Sequence, residues 1–238
     1  MNKIEKSIFF ICYNYNRGVY MKKNNKLVIV FFIVMVLLSF TNLFNIKYNG
    51  EVIKLAGLSV IIGVIAYFVT RKTNDTKNKG FNIKTIFKDF KDHPKAIIFA
   101  ILPFVTCVLS IVIASKFLPE ANEHVNERIS FLDTSKMIQT ILILAVSTLG
   151  EEIAWRAFFQ NKATKYIKFI PALIISSILF AFGHYSVGST IVVIYDLLFV
   201  FIDSSLFGLV FKETDNAWCS WIPHFLADIL GVILLLII

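Results

Sequence analysis

Three stretches of the chain set ionisable side chains into otherwise apolar sequence. The first reads Gly150-Glu151-Glu152-Ile153-Ala154-Trp155-Arg156, the second Phe180-Ala181-Phe182-Gly183-His184, the third His224-Phe225-Leu226-Ala227-Asp228. Residues four apart share a helix face, so Glu152 can pair with Arg156, and His224 stands beside Asp228. Glu151 then lies about 100° around its helix and stays free for chemistry. A carboxylate with imidazoles is the set that amide hydrolysis needs. Glu151 can take a proton from water, and His184 and His224 can position that water or hold the oxyanion. Glu151, His184 and His224 can equally hold a zinc ion with one position open, although no H-E-x-x-H helix motif is present.

Each feature has a plainer reading. Adjacent glutamates can be wet charge at a helix end, and a lone histidine is more often structural. The combination favours chemistry. A charged side chain inside a membrane span costs roughly 2.5–3.5 kcal/mol, so three spans carrying such groups should turn them into one shared polar cavity. Asp196 and Asp203, seven apart in another apolar run, line that cavity or pair with lysines elsewhere. His93 and His124 fall in loops and read as inert.

The elements that must position these groups are membrane helices. The chain is 57% hydrophobic and 17% charged, where soluble domains carry about 25% charged residues. Its apolar residues gather into runs at 27–44, 52–70, 96–118, 137–160, 169–183, 189–211 and 218–238. A span needs roughly 20 apolar residues, and backbone amides in lipid must bond within their own segment. The expected fold is all-α, a multi-pass transmembrane helical bundle of about seven spans, six to eight at the limits.

Residues 1–26 form a cytoplasmic N-terminal segment, of which 1–20 reads as an extension upstream of a start at Met21. Residues 27–136 hold the N-terminal spans and loops, and 137–238 the catalytic core, the whole being one integral domain. The run at 27–44 is too long for a signal-peptide core and reads as retained. Lysines and arginines crowd the segments before the first run, at 71–95 and at 162–168, which on seven spans share one side; that side, and the N-terminus, is cytoplasmic. The protein is thus expected in the cell membrane. Its charge of +8 suits topology and anionic headgroups, and no nucleic-acid role is assigned. The expected partners are membrane lipids and a membrane-associated peptide or protein, with oligomeric state open. The stretch 71–95 reads as an amphipathic surface helix or a solvated loop, and 119–136 as an acidic loop. Cys12, Cys107 and Cys219 follow no metal or disulfide spacing.

In order and spacing, the E-E-x-x-x-R of Glu151–Arg156, the F-x-x-x-H of Phe180–His184 and the H-x-x-x-D of His224–Asp228 resemble the CPBP family. These are the CAAX-protease and bacteriocin-processing membrane peptidases, and the resemblance covers about 137–238. It implies an all-helical core around a conical cavity open to the membrane and the cytoplasm. It implies Glu151 as general base, His184 as its partner on the water, and His224 with Asp228 at the oxyanion, supported by Glu152 and Arg156. The family often carries Asn where this chain has Asp228, and an ionised Asp cannot donate a hydrogen bond. Members are described both as metalloenzymes and as metal-free glutamate peptidases, so Zn2+ stays open. Prenylated CAAX proteins, secreted signalling peptides and bacteriocin leaders are all candidate substrates. A non-enzymatic immunity or partner-binding protein, and an ion-coupled transporter using Asp196, Asp203 and the glutamates, are the rival readings. One tension accompanies the cytoplasmic cavity. At 1.5 Å per residue Glu151 and His224 sit about 9 Å in, whereas His184 comes out roughly 10 Å deeper.

Overall fold

The computed structural model describes residues 25–44, 47–48, 51–52, 55–71, 80–130 and 136–237. The expectations for 1–24, including Cys12, the Met21 start and the upstream extension, lie outside the described residues.

Among the described residues seven apolar helices form the bundle, one for each of the seven apolar runs. They are α1 (Asn25–Phe44, closing in a 3-10 turn) and α2 (Gly57–Thr70), then, after α3 (Ile86–Asp92), α4 (Pro94–Phe117). After α5 (Pro119–Arg128) come α6 (Met137–Ala163), α7 (Phe169–Gly183), α8 (Thr190–Thr214) and α9 (Ala217–Ile237). A short antiparallel ladder pairs Lys47–Tyr48 with Glu51–Val52 between α1 and α2. Five of the apolar helices are long enough to cross a membrane alone; α2 and α7, at 14 and 15 residues, are not. Their 21–23 Å falls short of a roughly 30 Å hydrocarbon core. The outer faces carry exposed Ile29, Ile61, Ile98, Ile138, Ile170 and Ile194, a surface that suits acyl chains rather than water. The protein is a multi-pass membrane helical bundle.

Two segments differ from the sequence expectation. The 119–136 stretch is not all loop, because Pro119 at the first helical turn, Glu120 beside it and Arg128 in the last turn are start and stop signals that close α5. His124 therefore sits on a helix, buried against the bundle, rather than in a loop. The run at 52–70 is helical only from Gly57. Within the other basic stretch, 71–95, α3 turns Ile86 and Phe90 against Ala96, Val210 and Cys219 while Phe87 stays exposed. His93 does lie between helices, at the junction of α3 and α4.

The core forms where α6 runs through the middle of the bundle. Met35 of α1, Ala66 and Tyr67 of α2, and Leu179 and Phe180 of α7 close on Ala154, Trp155 and Phe158 of α6. Gly63 lets α2 approach: a Cβ there would lie 2.5 Å from the Cβ of Ala154. From Glu152 to Gln160 the α6 backbone widens into a π-helix, in which the Asn161 amide reaches back five residues to the Arg156 carbonyl. Such segments pack poorly along their own axis and are concentrated at functional sites. Here its middle and its C-terminal end are clamped from α8, since Arg156 bonds Ser204 and the Gln160 amide donates to the Gly208 carbonyl (2.9 Å). Gly208 permits this contact, because a Cβ there would meet Gln160 Oε1 at 2.5 Å. The α8–α9 corner is held by Asn216, whose amide donates to the Asn82 carbonyl and to Asp89, both at 2.8 Å. Asp215, left-handed at φ 47°, stops α8 just before it.

Candidate active site

The junction between the α-helical and π-helical parts of α6 places the two glutamates on different surroundings. Glu152 is fully buried, and Glu151 keeps 19% of its side chain exposed at the wall of a cavity of about 360 Å³. Their separation around the helix follows from adjacency alone. Glu152 faces inward to Arg156, whose Nε stands 3.4 Å from its Oε2. The guanidinium then donates to the carbonyl and hydroxyl of Ser204, each at 3.1 Å, and lies 4.8 Å over the Phe180 ring and 5.6 Å from that of Phe207. A buried charge is tolerable only with such partners.

His224 links the two carboxylates across from α9. Its Nδ1 lies 2.8 Å from Glu152 Oε1, while Nε2 lies 3.5 Å from Glu151 and 3.8 Å from Asp228. Phe207 stacks on the imidazole at 4.3 Å and 15°, and Phe180 meets it edge-on at 6.0 Å. The bond to Glu152 fixes Nδ1 as a donor and turns Nε2 toward Glu151. His184 ends α7. Its Nδ1 donates to the Phe180 carbonyl at 2.9 Å, and its ring packs 4.5 Å from that of Phe180. Nε2 is thereby left as the acceptor nitrogen of a residue that lines the cavity. Asp228, 40% exposed, lies along the same wall.

Residues 133–230 match the family model described as Type II CAAX prenyl endopeptidase Rce1-like. This match is consistent with the CPBP family. Its kind of function is that of a CAAX-type intramembrane protease. No curated protein and no solved structure matches the chain.

All six residues of the CPBP-like motifs meet around this one cavity or directly behind it. Glu151, His184, His224 and Asp228 line it; Glu152 and Arg156 stand behind His224. For Glu151 the depth tension with His184 dissolves. Glu151 is not near one end of its helix, because α6 continues to Ala163, leaving about 21 Å on one side and 18 Å on the other. The zinc expectation fares differently. Among the described residues no three His, Cys, Asp or Glu side chains group as a metal site. Of the three candidate ligands, His224 already has both nitrogens directed at carboxylates, and His184 and Glu151 supply no closed set with it. The residues present do not fit a zinc cage, and no step below uses one.

The two other acids of α8 separate. Asp196 accepts from Arg128 Nη2 at 2.9 Å, an arginine of α5 rather than a lysine, and lies 3.7 Å from His124. Asp203 hydrogen-bonds Thr106 of α4 and lines the cavity. Sequence reasoning missed Ser204, Phe207, Gln160 and Gly208. Their types are common in any apolar run, and only the return of α8 alongside α6 gives them partners 48 residues away. The one available signal was Gln160, a buried amide that requires a partner.

Proposed function

We propose that the protein hydrolyses a peptide bond in a membrane-associated peptide or protein, with Glu151 as general base. The observation that carries this reading is the Glu151–His224–Glu152–Arg156 chain, which runs from the cavity wall into the protein. In the proposed reaction a water rests between Glu151 and His184, whose Nε2 accepts one of its hydrogens. Glu151 takes the other proton as the oxygen attacks the scissile carbonyl. His224 acts as an imidazolium, its Nδ1–H held by Glu152 and its Nε2–H donated to the oxyanion. Glu151 then hands its proton to the departing amine as the C–N bond breaks. Asp228 orients the imidazole of His224 rather than donating to the oxyanion itself, which suits a carboxylate at that position.

The test is purification in detergent and assay of wild type and Glu151→Gln against a peptide library. Wild-type cleavage that disappears in the variant supports the reading; equal cleavage by both refutes it. An ion-pathway role is less well supported. The cavity ends at the π-helical segment, where Glu152, Trp155, Arg156 and Phe158 are each at most 2% exposed, so nothing continues through the bundle at this point.

A further inference from the structure

The cavity occupies only one half of the bundle, and that half can be oriented. Its lining includes Ile111 near the end of α4, Asn122 of α5, Leu144 in the first half of α6, His184 after α7, Tyr195 near the start of α8 and Leu235 near the end of α9. In an up-and-down bundle these positions all lie toward the same face, the one that carries α5 and the α7–α8 connection. The rim there is fastened by Arg128 to Asp196 and by His124 to Ser186 (2.9 Å). Toward the opposite face the cavity is closed by the buried π-helical segment.

The charges sort by face in the same way. Flanking the helix ends opposite the rim are Lys26, Arg71, Lys84, Lys88, Lys91, Lys95, the three lysines of 162–168 and Lys212. On the rim face the described basic residues are Lys47, Lys116, Arg128 and Lys136, with Glu51, Glu120, Glu123 and Glu127 among them, and Arg128 is already tied to Asp196. Lysine and arginine in short connections remain cytoplasmic. The lysine-rich face and an open cavity therefore cannot both be cytoplasmic, although the family resemblance and the charge pattern each suggested a cytoplasmic location.

We infer that the cavity opens on the non-cytoplasmic face, so the substrate is a polypeptide segment presented from outside the cytoplasm: an exported peptide or the external juxtamembrane part of a membrane protein. The substrate clause rests on the peptidase reading; the orientation does not. A prenylated cytoplasmic C-terminus would face the sealed side. The cavity volume, at the lower end of the roughly 300–1,000 Å³ typical of ligand sites, takes a short extended segment.

Two measurements on the full chain in membrane vesicles separate these claims. In a cysteine-free background, Asn122→Cys at the rim and Lys165→Cys on the opposite face are treated with a membrane-impermeant methanethiosulfonate. Asn122→Cys should label at least about ten-fold more in right-side-out than in inverted vesicles, and Lys165→Cys the reverse. The opposite pattern, or equal labelling of Asn122→Cys in both, overturns the orientation. An impermeant quenched peptide library is then added to vesicles holding wild type or Glu151→Gln. Glu151-dependent cleavage confined to right-side-out vesicles supports the substrate class. Such cleavage confined to inverted vesicles overturns that class and leaves the peptidase reading intact. With the expected labelling, absence of Glu151-dependent cleavage from either face overturns the peptidase reading and the substrate class together.

Discussion

Replacing each glutamate of the pair by glutamine should separate chemistry from architecture. In Glu152→Gln the side chain keeps its shape but loses its charge between two donors. Oε1 now accepts from His224 Nδ1 at 2.8 Å, and Oε2 faces Arg156 Nε at 3.4 Å. An amide has one oxygen. Turned to His224, its NH2 meets the guanidinium, donor against donor, and Arg156 becomes a buried charge without a counterion. Turned to Arg156, its NH2 meets Nδ1, which can accept only by giving up its proton, so the imidazolium is lost. Breaking a buried pair costs about 3–5 kcal/mol. At about 2–4 °C per kcal/mol for a chain of this size, the melting temperature should fall by roughly 6–20 °C. Weakening one donor to an oxyanion costs about 10²–10³-fold in turnover. Glu152→Gln is therefore expected to lose on the order of 10²–10³ in kcat/KM as well as stability.

Glu151→Gln should behave otherwise. Glu151 is partly exposed at the cavity wall and pairs with no arginine, so its stability change should be smaller than that of Glu152→Gln. Its loss should fall on kcat, about 10²–10⁴-fold, because the proton acceptor is gone. The assay is thermal unfolding in detergent beside steady-state cleavage of a quenched peptide. If Glu152→Gln melts with wild type and keeps kcat/KM within about threefold, the assignment of Glu152 as the clamp of His224 is wrong. If Glu151→Gln is the variant that unfolds, the two roles are reversed.

Three further outcomes follow from the packing and the site. Gly63→Ala puts a methyl 2.5 Å from the Cβ and 2.9 Å from the Cα of Ala154, so it should destabilise by about 1–3 kcal/mol in thermal unfolding. Gly57→Ala, with nothing within 4 Å, is the matched control, and equal melting of the two would contradict the α2–α6 contact. Asp228→Asn should keep kcat within about tenfold, since an amide can still accept from His224 and can also donate to an oxyanion; a loss above a hundredfold would mean that the carboxylate charge is required. Cleavage by the purified protein should survive 1,10-phenanthroline, because among the described residues no set of metal ligands converges; inhibition that added zinc reverses would refute this.

Much of the bundle was legible because lipid leaves a chain few options. Seven apolar runs in a solvent without hydrogen bonds become seven helices. The Glu152–Arg156 pair was legible because residues four apart meet on any helix turn. What the sequence concealed depended on distance along the chain or on the local pitch. The π-helical widening from Glu152 has no marker in Glu-Ile-Ala-Trp-Arg-Ala-Phe-Phe-Gln; it is stabilised by Ser204 and Gly208, which reach α6 only after the intervening α7. The position of α5 was concealed too, because an acidic segment of ten residues reads as a loop until His124 and Arg128 find Ser186 and Asp196.

The doublet of glutamates gains its meaning from this arrangement. Two carboxylates on successive residues cannot face the same way on a helix, so a wall that admits one must bury the other. The buried one is stable only because Arg156 approaches from the next turn and His224 from another helix. That same pair of contacts fixes the imidazole with Nε2 toward the cavity, beside the glutamate left at the wall. The expensive charge in the interior thus positions the group that works at the surface. A single glutamate would leave either the histidine without an anchor or the water without a base, and the spacing of the arginine four residues on completes the arrangement.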